Sequence, residues 1–135
     1  MPDRAKTIKT ETVKFLKTRQ SSFGHAKDGL IHVIKTQQNA WVHFSITCFV
    51  LLISVWLGLS QLEWAAILLI IALVWMAEFL NTALEIIVDL ASPEKHPLAK
   101  IGKDVGAGAV LITAMVSVII GIIILGPHLW ERLGF

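Results

Sequence analysis

The sequence predicts an all-α integral membrane protein: three transmembrane helices preceded by an N-terminal amphipathic surface helix. Three observations carry that expectation. Of the 135 residues, 55% are hydrophobic and the mean hydropathy is +0.69, too apolar for a water-soluble chain of one-domain length. Three apolar runs are each long enough to cross about 30 Å of hydrocarbon at a rise of about 1.5 Å per residue. Charge is also segregated, with eight of the twelve Lys and Arg within the first 35 residues. The single cysteine, Cys48, excludes an internal disulfide. Its apolar neighbours predict a small buried hydrophobe.

The chain reads as one membrane domain over residues 1–135. Residues 1–39 form a basic arm without a continuous apolar stretch, so no secretory signal is expected and the later spans remain in place. On a continuous helix Ile8, Phe15, Leu16, Phe23, Ala26, Leu30, Val33 and Ile34 share one face. Lys6, Lys14, Lys17 and Lys35 fall opposite, while Arg19 falls on the apolar side. This is the pattern of one or two helices lying on a membrane surface, with Gly24 and Gly29 as candidate break points. The bland alternative is a simple anchor with a solvated basic face.

The spans are expected at 40–59, 62–90 and 105–129. Lipid offers no partners to backbone polar groups, so each must be helical. The connection "SQLE" has no Lys or Arg, whereas "ASPEKHPLAKIGK" carries Lys95, Lys100 and Lys103. The positive-inside rule then places the N-terminus and the second connection in the cytoplasm. Trp41, Trp64 and Trp130 fall near span ends, as an aromatic belt requires, and Trp56 and Trp75 read as packing residues.

The second span ends in "AEFLNTALEIIVDL". Helical residues advance by about 100° each, so Asn81, Glu85 and Asp89 lie within about 60° of Glu78 around the axis. Glu78 and Glu85 are about 10 Å apart along it. An acid at the centre of a span costs about 2.5–3.5 kcal/mol on insertion scales. Such a stripe must face a bundle interior, a polar cleft or a cation. Structural polar glue is the competing explanation, but three acids and an amide on one face exceed that need. Lys103 and Asp104 open the third span at a similar expected depth. Two carboxylates, an amide and a lysine suit a divalent cation and a polyphosphate. "GKDVGAGA" is neither a Walker A loop nor GxGxxG, and its small residues point to close helix packing. The histidines His25, His32, His43, His96 and His128 have no zinc spacing and read as solvated or interfacial groups.

"AEFLNTALEIIVDL" resembles the E-x-x-N-[ST]-A-x-E-x-x-V-D pattern of the prokaryotic diacylglycerol kinase family, which includes the undecaprenol kinases. "GKDVGAGAV" resembles that family's A-K-D-x-[AG]-[AS]-A-A-V, with Gly102 and Gly108 replacing alanines. The likeness runs from about residue 23 to 124. It implies a three-span kinase, usually trimeric, that moves the ATP γ-phosphoryl to a lipid hydroxyl with Mg²⁺. By the same resemblance Glu78 would be the general base and Asn81 would orient the site. Glu85 would bind the metal, and Lys103, Asp104, Asp89 and the loop Glu94, Lys95, His96 would meet the nucleotide. Gln37 stands where the family commonly has a second metal-binding glutamate. The family's arm arginine falls at Thr18, beside Arg19. Asn39 and His43 resemble the N-x-x-x-H of the undecaprenol-kinase branch. A small ion- or proton-coupled membrane transporter and a degenerate, non-catalytic family member are the competing readings.

Overall fold

The computed structural model describes residues 21–134. It divides at Thr36 into two compact units. In the first, residues 21–36 are helical (α1). The helix passes through Gly24 and Gly29 without a break, the one-helix form of the sequence expectation. Phe23 is 77% exposed and Leu30 48%, and Thr36 Oγ1 donates to the His32 carbonyl in the last turn. The arm residues before Ser21, including Thr18 and Arg19, lie outside the described part.

The second unit starts at Gln37 and contains α2 (Gln38–Leu57), α3 (Gln61–Ala91) and α4 (Pro97–Arg132). All three are long and apolar enough to cross a membrane. There is no strand among the described residues. Two tight connections set the order. Gly58 takes the left-handed conformation, φ 73°, and its N–H returns to the Ser54 and Val55 carbonyls to close α2. Ser60 then caps α3: its hydroxyl accepts from Glu63 N–H, and Glu63 Oε2 accepts from Ser60 N–H at 2.8 Å. "SQLE" is thus a capping box, and α3 begins inside the stretch that reads as a loop in the sequence. At the second connection His96 caps α4, its Nδ1 accepting from Leu98 N–H at 3.2 Å, with Pro97 at the first helical position. The α4 helix therefore starts eight residues before the apolar run at Val105, and Lys100, Lys103 and Asp104 all ride on it.

Helix α3 is the inner one. A third of its most apolar window is buried, against 11% for α2 and 6% for α4. Its buried residues Ile67, Ile70, Val74, Glu78, Asn81 and Thr82 recur at three and four residue steps and form one stripe. At the end near the Gly58 turn the stripe is apolar: Ile67 and Ile70 pack with Leu59 and Leu125, ringed by Val50, Ile53, Ile120 and Ile124. At the other end the same stripe becomes polar.

Polar clasps fasten the apolar end. His128 Nε2 meets Glu63 Oε1 at 2.8 Å. Arg132 lies over the Trp56 ring, 5.4 Å from its centroid, and reaches the Trp56 carbonyl. Trp56 is half exposed, so it belongs to the end of the bundle rather than to its packing core. Cys48 is exposed too, which corrects the buried reading: an apolar run does not say which of its faces turns outward, and in a bilayer an outward thiol still meets hydrocarbon. Replacing Ser60 by Ala removes the cap of α3 and should cost about 1 kcal/mol, read as a lower melting temperature of the detergent-solubilised protein.

Candidate active site

The polar half of the α3 stripe grades from deep to open. Glu78 is 1% exposed and Asn81 8%, Glu85 is half-buried and Asp89 exposed. The deepest acid has an incomplete environment. Glu78 Oε2 has no hydrogen-bond partner, and His43 Nε2 stands 3.8 Å from it, beyond hydrogen-bond range. The His43 ring is edge-on to Trp75, whose indole donates to Thr47. Thr82 Oγ1 donates to the Glu78 carbonyl one turn on, and so makes no demand on the carboxylate.

Glu85 sits between two amides. Asn81 Nδ2 donates to its Oε1 at 3.1 Å and Gln37 Nε2 to its Oε2 at 3.3 Å. The other end of the Asn81 amide, Oδ1, is buried without a hydrogen bond, pressed toward Gly106 on α4. A Cβ built at residue 106 would overlap that oxygen, so the glycine keeps room for Asn81 in this rotamer. By contrast a Cβ at Gly102 would make ordinary contact with Val88, and one at Gly108 would meet nothing. The two departures from the alanine pattern are therefore sterically neutral.

Asp89 is paired with Lys103 Nζ across α3 and α4 at 2.5 Å. Asp104 is taken up on its own helix by Lys100 at 2.7 Å. Asp89, Glu94, Lys95, His96, Lys103 and Asp104 all line one open cavity of about 520 Å³ at the α3–α4 connection. The structure thus gathers the sequence-selected residues into two groups, Gln37, Glu78, Asn81 and Glu85 along the stripe, and these six around the cavity. Arg19 lies outside the described residues. The described residues contain no group of three His, Cys, Asp or Glu able to hold a metal by themselves. The available donors are one carboxylate, Glu85, and the oxygens of two amides.

A second cavity, about 630 Å³, is almost wholly apolar and lies among α2, α3 and α4, with His43 and Thr47 on its wall. Sequence reasoning gave His43 no place in the site beyond its match to a branch pattern. A signal was available: His43 and Glu78 lie 15 and 18 residues from the two ends of the Gly58–Ser60 turn, so a hairpin brings them within about one helical turn in depth. Lys100 was missed as well, because its i,i+4 partner Asp104 was assigned outward to a ligand.

A lipid kinase needs an acid within reach of a lipid hydroxyl and room for a polyphosphate at the same helix end. A buried acid and an open cavity lie toward one end of α3, and lipid kinase is the class of this membrane protein. Residues 24–125 match the family described as prokaryotic diacylglycerol kinase, and the chain belongs to that family. It is 40% identical to the undecaprenol kinase of Bacillus subtilis over 93% of this chain and 98% of the relative. It is 40% identical to a diacylglycerol kinase of Synechocystis over 80% of this chain and 62% of the relative. It is 37% identical to the diacylglycerol kinase of Escherichia coli over 56% of this chain and 62% of the relative.

Gly106→Leu should push the Asn81 amide off Glu85 and lower kcat about 10- to 100-fold, the scale of an ångström misplacement. A lipid-phosphorylation assay on protein with an unchanged melting temperature checks it.

Proposed function

We propose that this chain transfers the γ-phosphoryl group of ATP to the primary hydroxyl of a membrane polyprenol. The observation that carries the reading is Glu78, buried with an unpartnered Oε2, on the same helical stripe as the Glu85 cluster and the open cavity. Glu78 takes the hydroxyl proton as the alcohol oxygen forms its bond to Pγ. The bond between Pγ and the bridging oxygen breaks, and its electron pair leaves on ADP. The polyprenol is favoured over diacylglycerol by the relative named undecaprenol kinase, which is matched over nearly its full length. Asn39 and His43 also match that branch's pattern.

ATP is assigned to the cavity at the α3–α4 connection. Lys103 would exchange Asp89 for phosphate oxygens, helped by the exposed N-terminus of α4. Lys95, His96, Glu94, Asp89 and Asp104 border the nucleotide, and Arg19 of the arm is assigned to the phosphates. The Glu85 set fits Mg²⁺, which takes one or two carboxylates and draws further oxygens from substrate phosphates. Glu85 would hold it with the side-chain oxygen of Gln37. The Gln37 amide needs only a half-turn to present that oxygen, since its two ends are interchangeable in shape. When bound, Mg²⁺ supplies charge neutralisation on the β and γ phosphates. Asn81 holds Glu85 in orientation through its amide hydrogen bond.

The basic arm, 1–39, lies on the cytoplasmic leaflet in this reading, with the active site at the same face. Lysines cluster at that end of the bundle, and the Gly58–Ser60 turn has none. The trimer implied by the family resemblance belongs to the same reading.

Glu78→Gln should lower kcat by about 10²- to 10⁴-fold in purified protein given Mg²⁺-ATP and polyprenol; undiminished product would remove Glu78 as the base. Gln37→Glu adds a second carboxylate beside Glu85. It should lower the Mg²⁺ concentration for half-maximal activity, by about 10-fold for one added ligand charge. A magnesium titration at saturating ATP measures it.

A further inference from the structure

We propose that His43 is a substrate-binding residue, and that the acceptor's hydroxyl bridges His43 Nε2 and Glu78 Oε2. The inference rests on the kinase reading and adds a residue to it. The two atoms are 3.8 Å apart, too far for a direct hydrogen bond. They are well spaced for one oxygen to sit about 2.8 Å from both, a normal distance for each bond. Glu78 Oε2 has no other hydrogen bond and is almost fully buried. A hydroxyl placed there would supply the hydrogen bond that Glu78 Oε2 lacks.

The chemistry fixes the roles. The alcohol oxygen accepts from the Nε2–H of neutral His43 through one lone pair. Its own proton then points to Glu78, and the second lone pair remains to attack phosphorus. His43 therefore orients the hydroxyl, while Glu78 removes its proton. Without a donor at position 43, the hydroxyl is free to rotate away from the acid. Position 43 also has the right surroundings for a lipid alcohol. Its ring forms part of the wall of the apolar cavity, so one side of His43 faces hydrocarbon-like surface and the other faces the acid. Trp75, edge-on at 6.5 Å, restrains the ring. At the cavity by the α3–α4 connection Asp89 is paired with Lys103 and Asp104 with Lys100, so neither acid depends on His43.

Two variants separate hydrogen bonding from packing. His43→Phe keeps a ring against Trp75 and removes the nitrogen. His43→Gln places an amide N–H near the former Nε2. Wild type and both variants are purified in detergent, checked for equal melting temperature, and assayed with polyprenol and Mg²⁺-ATP. His43→Phe is expected to lose about 10- to 100-fold in kcat/KM for the lipid, the range of a lost hydrogen bond to a polar partner. KM for ATP should stay within about twofold. His43→Gln should recover most of the loss. An unchanged His43→Phe enzyme, an equal defect in ATP binding, or a loss that glutamine does not relieve would each overturn the role of His43 and leave the kinase reading standing. A wild-type protein that phosphorylates no lipid alcohol would overturn both.

Discussion

The buried carboxylate of Glu78 is the constraint on which the rest of the structure depends. An acid at that depth is tolerated only on a face turned inward, so its presence fixes the rotation of α3. Once α3 is so rotated, Ile67, Ile70 and Val74 must face inward as well, because they lie on the same stripe. The apolar packing near the Gly58 turn and the polar cluster near the α3–α4 connection are therefore two ends of one surface. The clasps at the turn end, Glu63 with His128 and Arg132 with Trp56, hold that rotation from the side away from the chemistry.

The polar end works through graded access. Glu78 is sealed, Glu85 is half-open and met by two amides, and Asp89 is in the open with Lys103. Each step outward exchanges burial for exposure, and each suits a different partner in the proposed reaction. In the proposed reaction the sealed acid takes its proton from an alcohol delivered through hydrocarbon. A half-open acid can take a partly hydrated cation. The outer pair can open for a soluble polyphosphate. Along the stripe Glu85 and Asp89 are engaged before ligands arrive, whereas Glu78 Oε2 is not.

Much of this was legible in the residues because it is local. Helical phase alone puts Glu78, Asn81, Glu85 and Asp89 on one stripe, and hydropathy alone finds the three spans. What was not legible depends on how helices meet. His43 reads as an interfacial histidine until α2 is laid against α3. Lys100 reads as a loop charge until α4 is seen to begin at Pro97. Cys48 reads as buried until the outward face of α2 is known. Gly106 reads as a generic small residue, whereas its role is to leave space for one amide oxygen on another helix.

The three spanning helices differ in length, and the difference has a mechanical consequence. Helix α2, with 20 residues, is about 30 Å long and matches the hydrocarbon thickness. Helices α3 and α4, with 31 and 36 residues, are about 46 and 54 Å long and overshoot it. Helix α2 thus acts as the gauge of the bundle: bilayer thickness sets its vertical position, and with it the height at which His43 stands beside the acid on α3. The longer pair carries the water-facing chemistry clear of the lipid. Membrane thickness is in this way written into the geometry between α2 and α3.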